Sequence, residues 1–220
     1  MVAIIIGSGL GFLLKGRITE KMSHTIMKAM GLCVCIIGIS GALGGDIMLM
    51  VVSLALGAFV GELLNIDGGL NRLGLWVQSK FGKDDGSSSF AQGFVTATLL
   101  FCVGAMAVVG SIDSGLRDDQ SIIITKSIID AVASMALAST FGLGVLFSGF
   151  MVFLYQGSIE FFAGYLQNVF TPGLIAQISA VGGVMILGVG ANMVFDAKIK
   201  AANLLPGFLV AAGYYFLFLG

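Results

Sequence analysis

Apolar residues run almost unbroken along this chain, and the breaks between runs are short clusters of charged residues or of Gly, Ser and Asp. Reading each run between two such breaks as one span gives eight, at approximately 2–14, 27–44, 46–64, 90–112, 121–140, 143–163, 173–194 and 201–219. Most are about 18 residues or longer, enough for a helix to cross a hydrocarbon core of ~30 Å. The first is short, and only Phe141 and Gly142 separate the fifth from the sixth. The predicted fold is therefore all-α, a polytopic bundle of transmembrane helices.

The third connection, Asn65 to Ser89, is the long one. Leu70, Leu73, Val77 and Phe81 recur at helical spacing, with Arg72 and Lys80 off that face and Trp76 beside it, which predicts a short helix lying in the membrane interface. Lys83 to Ser89 then reads as a linker. The expected organisation is 1–64, a three-helix unit; 65–89, interfacial helix and linker; 90–142, two central helices; and 143–220, a second three-helix unit.

Placed on itself at an offset of 150 residues, without gaps, the chain matches Met1-Val2 to Met151-Val152, Gly7-Ser8 to Gly157-Ser158 and Phe12 to Phe162. The register continues with Val34, Ile36, Gly38 and Asp46 on Val184, Ile186, Gly188 and Asp196, and with Leu54, Gly57 and Val60 on Leu204, Gly207 and Val210. Spans one to three thus fall on spans six to eight. If both intervening spans cross the membrane, the two units start from opposite sides, and the repeat is inverted, as in many secondary transporters. The plainer reading is a shared ancestry of hydrophobic hairpins without transport.

Composition agrees with a membrane class: 57% of residues are hydrophobic and 10% charged, and the mean hydropathy is +1.03. A soluble domain carries roughly 25% charged residues. The 33 glycines suit a bundle in lipid, where small residues let backbones approach closely. A net charge of −1 without a basic block excludes a nucleic-acid partner. Val2 to Leu14 lacks a basic segment before it and a cleavage site after it, so it is not expected to be a signal peptide.

Charge also sets the orientation. The first, third and seventh connections hold nine Lys and Arg (Lys15, Arg17, Lys21, Lys28, Arg72, Lys80, Lys83, Lys198, Lys200), against Arg117 alone on the other side. Cytoplasmic loops carry that excess, so a multi-pass protein of the bacterial inner membrane with both termini outside is expected. Merging spans five and six would move Lys198 and Lys200 across, which favours eight.

The sharpest chemical signal lies in span five, where Lys126 and Asp130 stand four residues apart, on one helix face, with Asp130 near mid-span. An ionisable side chain there costs at least ~2.5 kcal/mol and belongs in the bundle interior or a wet cavity. Asp130 either changes protonation or ion occupancy during transport, with Lys126 as counter-charge, or forms a permanent structural pair with it. Thr96, Thr98, Ser134, Ser139, Asn192 and Asn203 add polar groups at membrane depth and extend the candidate solute or ion pathway. Gln156 and Glu62 are secondary candidates, and Asp46 and Asp196 are a repeat-matched pair near span ends. The runs Phe101 to Met106 and Ser139 to Gly144 mix small and polar residues, as a broken helix does. A solute site is expected between spans four and five and the two units.

Cys33, Cys35 and Cys102 read as small buried hydrophobes, with no disulfide framework. His24 is alone in a polar stretch. Without a nucleophile–base constellation, a metal-spaced cluster or a phosphate-cradling glycine loop, neither an enzyme, a metal site nor a cofactor is expected.

Four segments carry a family resemblance: Gly57 to Gly68, Gly93 to Met106, Thr125-Lys126-Ser127 through Asp130 to Thr140, and Asn203 to Pro206. Together they resemble the YqgA-like bacterial membrane family, catalogued as domain of unknown function 554, over essentially the whole chain. Many members of that family have Pro where Ala105 stands and Gly-Phe where Ala131-Val132 stand. The resemblance implies a bacterial membrane location and carries no established activity. The expected function is a small secondary transporter of an unidentified solute or ion, with Lys126 and Asp130 at its centre. The alternatives are a passive pore, as at an interface between copies of the chain, and a non-transporting scaffold or sensor partner.

Overall fold

The computed structural model describes all residues except 16–19, 70–71, 73–86, 103–104 and 219–220. The expected interfacial helix and most of the linker fall outside the described residues. What is described is helical, without strands: α1 (Val2–Lys15), α2 (Glu20–Ala42), α3 (Ile47–Leu64), α4 (Ser87–Cys102), α5 (Ala105–Arg117), α6 (Ser121–Phe141), α7 (Leu143–Phe161), the short α8 (Ala163–Leu166), α9 (Pro172–Phe195), a 3₁₀ turn (Ala201–Leu204) and α10 (Gly207–Phe218).

Among the described residues six segments are long and apolar enough to cross a membrane, one each in α2, α3, α6, α7 and α9, and the 3₁₀ turn with α10. Taking the pair α4 and α5, inclined by 57° to each other, as one broken span gives seven, against the eight expected. Their break falls within the Phe101 to Met106 run. The apolar part of α1, Val2–Leu13, rises only about 18 Å at ~1.5 Å per residue, short of the ~30 Å core.

Glycine contacts fix the helix directions. Gly7 and Gly11 of α1 meet the backbone of Ala131 and Met135 of α6, so these two helices run parallel. Gly31 and Gly38 of α2 and Gly45 in the turn after it meet Met193, Leu187 and Ala180 of α9, an antiparallel pair. Gly57 and Gly61 of α3 meet Gly207 and Asn203, so α3 is antiparallel to the 3₁₀ turn and α10. At one end Gly144 of α7 meets Phe90 of α4; at the other Gly115 of α5 meets Glu160 of α7. In lipid there is no hydrophobic drive between helices, so close backbone packing of this sort holds the bundle together.

Following these contacts, each successive long element reverses direction. The ends gather charge: Lys21, Lys198 and Lys200 lie at one beside Glu62, Asp67 and Asp196, called here the basic end for its lysines, and Asp46, Asp118, Asp119 and Glu160 at the other, the acidic end. The reversal between α6 and α7 is made by Gly142 alone, at φ 73, a conformation that a side chain would strain. That single residue keeps the fifth and sixth spans separate.

Helix termini are tied down. Asp46 caps α3 by accepting from the Leu49 N–H at 2.8 Å, and its own N–H donates to Gln177 Oε1 at 2.8 Å. Its repeat match Asp196 instead ends α9 in the left-handed conformation, which Asp tolerates better than most residues. Lys28 Nζ donates to Val194 O at 2.7 Å, placing a cation on the negative end of α9.

Candidate functional site

On α6 the residues Ile124, Ile128, Ile129 and Val132 face outward and are exposed, whereas Lys126, Asp130, Ser134 and Leu137 are buried. Helical periodicity thus turns the ion pair into the protein and aliphatic side chains toward lipid. Lys126 Nζ donates to Asp130 Oδ2, and the two residues are 8% and 7% exposed. Cys102, the last residue of α4, lies within electrostatic range of both. Neither charge lines any of the three cavities described below; the pair is closed.

The first cavity opens at the basic end. It holds about 390 Å³ and is lined by Thr96 and Gln92 of α4, Asn192 of α9, and Asp67, Lys198 and Lys200 among others. Thr96 is 2% exposed. Asn192 has both ends of its amide engaged, donating to Ile199 O and accepting from Ile199 N, each at 2.7 Å. It holds the loop after α9 in shape and leaves its side chain little capacity for a solute.

Beside that pocket a polar clasp joins the end of α3 to the segment that precedes α10. Glu62, in the last turn of α3, pairs with Lys200 Nζ at 2.5 Å and accepts from Asn203 Nδ2. Asn203 Oδ1 in turn accepts from the Asp67 N–H at 2.8 Å. Glu62 and Lys200 are exposed at the basic end while Asn203 is buried, and the Glu62 carboxylate raises the Lys200 pKa, first by its hydrogen bond and then by its charge.

A second cavity, about 500 Å³, lies where α4 and α5 diverge and includes Thr98, Cys102 and Tyr155. A third, about 710 Å³, is an apolar groove between α2 and α9, including Ile36, Gly41, Pro172 and Gly183.

The candidate residues therefore do not converge on one site. Lys126 and Asp130 form the closed pair, Thr96 and Asn192 share the basic-end pocket, Thr98 belongs to the second cavity, and Glu62 and Asn203 build the clasp. Ser134 and Ser139 bond back to Ala131 O and Ala136 O on their own helix, and Gln156 Nε2 is shielded without a partner. Among the described residues no group of three or more His, Cys, Asp or Glu is placed to hold a metal ion. Cys33 is exposed, against the expectation that it is buried, and Cys35 and Cys102 are half-buried. Cys33 lies on the outward face of α2 beside Leu32, 55% exposed, where a thiol behaves as a small hydrophobe against lipid.

Sequence reasoning left Lys200, Gln92 and Asp67 out of the candidate set. A signal for Lys200 was present. If the matched glycines 57 and 207 meet in an antiparallel crossing, position 57 + 5 = 62 falls opposite 207 − 5 = 202, between Lys200 and Asn203.

Long apolar helices, glycines at the closest helix crossings and charges kept to the ends or paired inside define a polytopic α-helical membrane protein. The sequence profile of the family described as "Protein of unknown function (DUF554)" matches residues 1–216, and the chain belongs to that family. It is 34% identical over 215 residues to the uncharacterised membrane protein YdfK of Bacillus subtilis strain 168, covering 95% of this chain and 90% of that one. It is 29% identical over 213 residues to the uncharacterised protein YqgA of Escherichia coli strain K12, covering 95% and 91%. No solved structure matches.

Proposed function

We propose that the chain is a small secondary transporter of the bacterial inner membrane, built from two inverted three-helix units, α1–α3 and α7–α10, around the central helices α4–α6. One observation carries this reading: helices matched by the 150-residue offset pack antiparallel on their own counterparts, α2 on α9 and α3 on α10. Two units of opposite orientation that share a fold can exchange conformations, so that an opening at one end becomes an opening at the other.

In this reading the basic end is cytoplasmic, because it collects the Lys and Arg excess, and helices α1 and α10 begin and end on the outer side. The basic-end pocket is the solute entry, with Thr96 in its wall. Lys126–Asp130 is the coupling element, closed here and opened in another state, and the Glu62–Lys200–Asn203 clasp joins the units beside the entry.

The closed pair also favours a second reading. A pair lining none of the three cavities is what a structural device for inserting α6 would need, and a scaffold or sensor partner would keep it closed permanently.

Single cysteines in a background lacking Cys33, Cys35 and Cys102, labelled from each side by an impermeant thiol reagent, separate the two. The transporter reading expects Thr96→Cys to label from the side of Lys200, and a cysteine at Ala131 or Ala133 to gain accessibility when pH or solute changes. Unchanging silence at 131 and 133, with no flux in proteoliposomes across a broad ion and metabolite screen, would leave the scaffold.

A further inference from the structure

The wall of the basic-end pocket carries charges of both signs. Two carboxylates, Asp67 and Asp196, and two ammonium groups, Lys198 and Lys200, line it. Lys200 is already held by Glu62. Asp196 and Lys198 are exposed, and neither side chain is engaged by a described residue. One charge of each sign is therefore open at the rim.

The loop that bears them is held in shape. Asp196 and Lys198 have left-handed backbones, at φ 53 and 56. A lysine in that region is strained and persists only where its surroundings impose it. Here Asn192 grips Ile199, the residue after Lys198, by both its N–H and its carbonyl at 2.7 Å each. Charges fixed in advance need less ordering when a solute arrives.

Below the rim the lining turns small and apolar, with Ala91, Val95 and Val189, and one hydroxyl stands among them. Thr96 is 2% exposed and lies about 14 Å along α4 from its start, at ~1.5 Å per residue. Its hydroxyl makes no hydrogen bond to a described residue. The unpartnered hydroxyls of Ser8, Ser53 and Thr98 are shielded; that of Thr96 is not among them, and its residue lines this pocket. A buried hydroxyl without a partner recovers its desolvation cost from a solute group that reaches it.

Charge decides the occupant. A simple anion would meet two carboxylates and a simple cation two ammonium groups, so each would be repelled as well as attracted. A neutral apolar molecule would strip water from the charges without replacing it. A molecule with one charge of each sign satisfies both open groups. The volume, about 390 Å³, is near the lower end of the ~300–1,000 Å³ range of small-molecule sites, which suits a body of a few carbon atoms.

We propose that the basic-end pocket takes a small zwitterion, with its ammonium at Asp196, its carboxylate at Lys198 and a hydroxyl at its inner end on Thr96. This names the substrate class of the pocket and rests on the reading of the pocket as the solute entry.

Gln92→Cys, in a background lacking Cys33, Cys35 and Cys102, puts a thiol in the pocket wall. The full chain in phosphatidylcholine nanodiscs is labelled with N-ethylmaleimide, whose neutrality keeps the pocket charges out of its rate, and protection is read by mass spectrometry. The probes are L-serine and L-homoserine, with analogues that each lack one group. These are 3-hydroxypropionate and 4-hydroxybutyrate without the ammonium, ethanolamine and 3-aminopropanol without the carboxylate, and L-alanine and L-2-aminobutyrate without the hydroxyl. Saturable protection by L-serine or L-homoserine is expected, with half-protection rising at least about tenfold when either charge is missing and about three- to tenfold when the hydroxyl is missing.

Asp196→Asn should abolish the preference over the analogues without the ammonium, Lys198→Asn that over those without the carboxylate, and Thr96→Val that over those without the hydroxyl. Asn tolerates the left-handed backbone, so the first two keep the loop, as melting checks; the analogue series on the unaltered wall needs no variant there. Equal protection by a single-charge analogue or by glycerol, or no protection by any probe in the millimolar range, would overturn the zwitterion. Flux in proteoliposomes separates this failure from that of the transport reading. Zwitterion protection without flux keeps the ligand class and removes the transporter, whereas flux of a single-charge solute without zwitterion protection keeps the transporter and overturns the ligand class.

Discussion

Gly57 and Gly207, matched by the 150-residue offset, lie backbone against backbone: a Cβ on Gly57 would come within 2.4 Å of Gly207 N. The internal match is therefore also a contact, and the matched helices α3 and α10 cross where neither has a side chain. From that crossing follows the clasp, because Glu62 and Asn203 extend from it toward the basic end.

Side chains at these crossings should be poorly tolerated. A Cβ at Gly61 would lie 1.9 Å from Asn203 O, a backbone atom that cannot rotate away. Gly61→Val is expected to lower stability by about 1–3 kcal/mol or more, the usual cost of overpacking. Gly213→Ala, with nothing within 4 Å, should stay within about 0.5 kcal/mol. Melting in detergent compares the two, and equal effects would refute the packing.

Breaking the buried pair on one side should be worse than removing it. Lys126→Met or Asp130→Leu alone is expected to cost about 3–5 kcal/mol, while the two together recover most of the loss. Equilibrium unfolding of the four proteins gives the coupling. Additive losses would show that the two charges do not act as a pair.

The antiparallel packing of α2 on α9 can be trapped covalently. A Cβ on Gly45 would fall 2.2 Å from Ala180 Cβ, so a small shift brings cysteines there to the ~3.8 Å Cβ separation of a disulfide. In a cysteine-free background Gly45→Cys with Ala180→Cys is expected to oxidise readily and Gly31→Cys with Ala180→Cys not to. Mobility on non-reducing gels reports it, and the reverse order would invert the helix direction.

The clasp has a defined alkaline limit. Because Glu62 raises the Lys200 pKa, the contribution of the pair is complete below the ordinary lysine value and is lost as pH rises through the raised one. The melting difference between the natural protein and Lys200→Met should be flat from about pH 7 to 9 and shrink only at strongly alkaline pH, given an ordinary lysine pKa of ~10.4. A difference that vanishes by neutral pH would mean that the pair does not form.

Much of this protein is legible in the order of its residues. Apolar run length and charged breaks alone placed the long helices, because a helix in hydrocarbon must satisfy its own backbone and show apolar side chains. The four-residue spacing of Lys126 and Asp130 fixed their common face, and Gly142 marked the reversal between α6 and α7, because both are local properties of one helix or one φ angle. Which polar groups meet was decided by tertiary structure. Ser134 and Ser139 found carbonyls on their own helix, Asn192 closed on Ile199, and Glu62 reached Lys200 and Asn203 nearly 140 residues away. The cavity beside Thr98 is tertiary too, since it exists only because α4 and α5 diverge against three other helices, and no periodicity along one chain encodes the space between five.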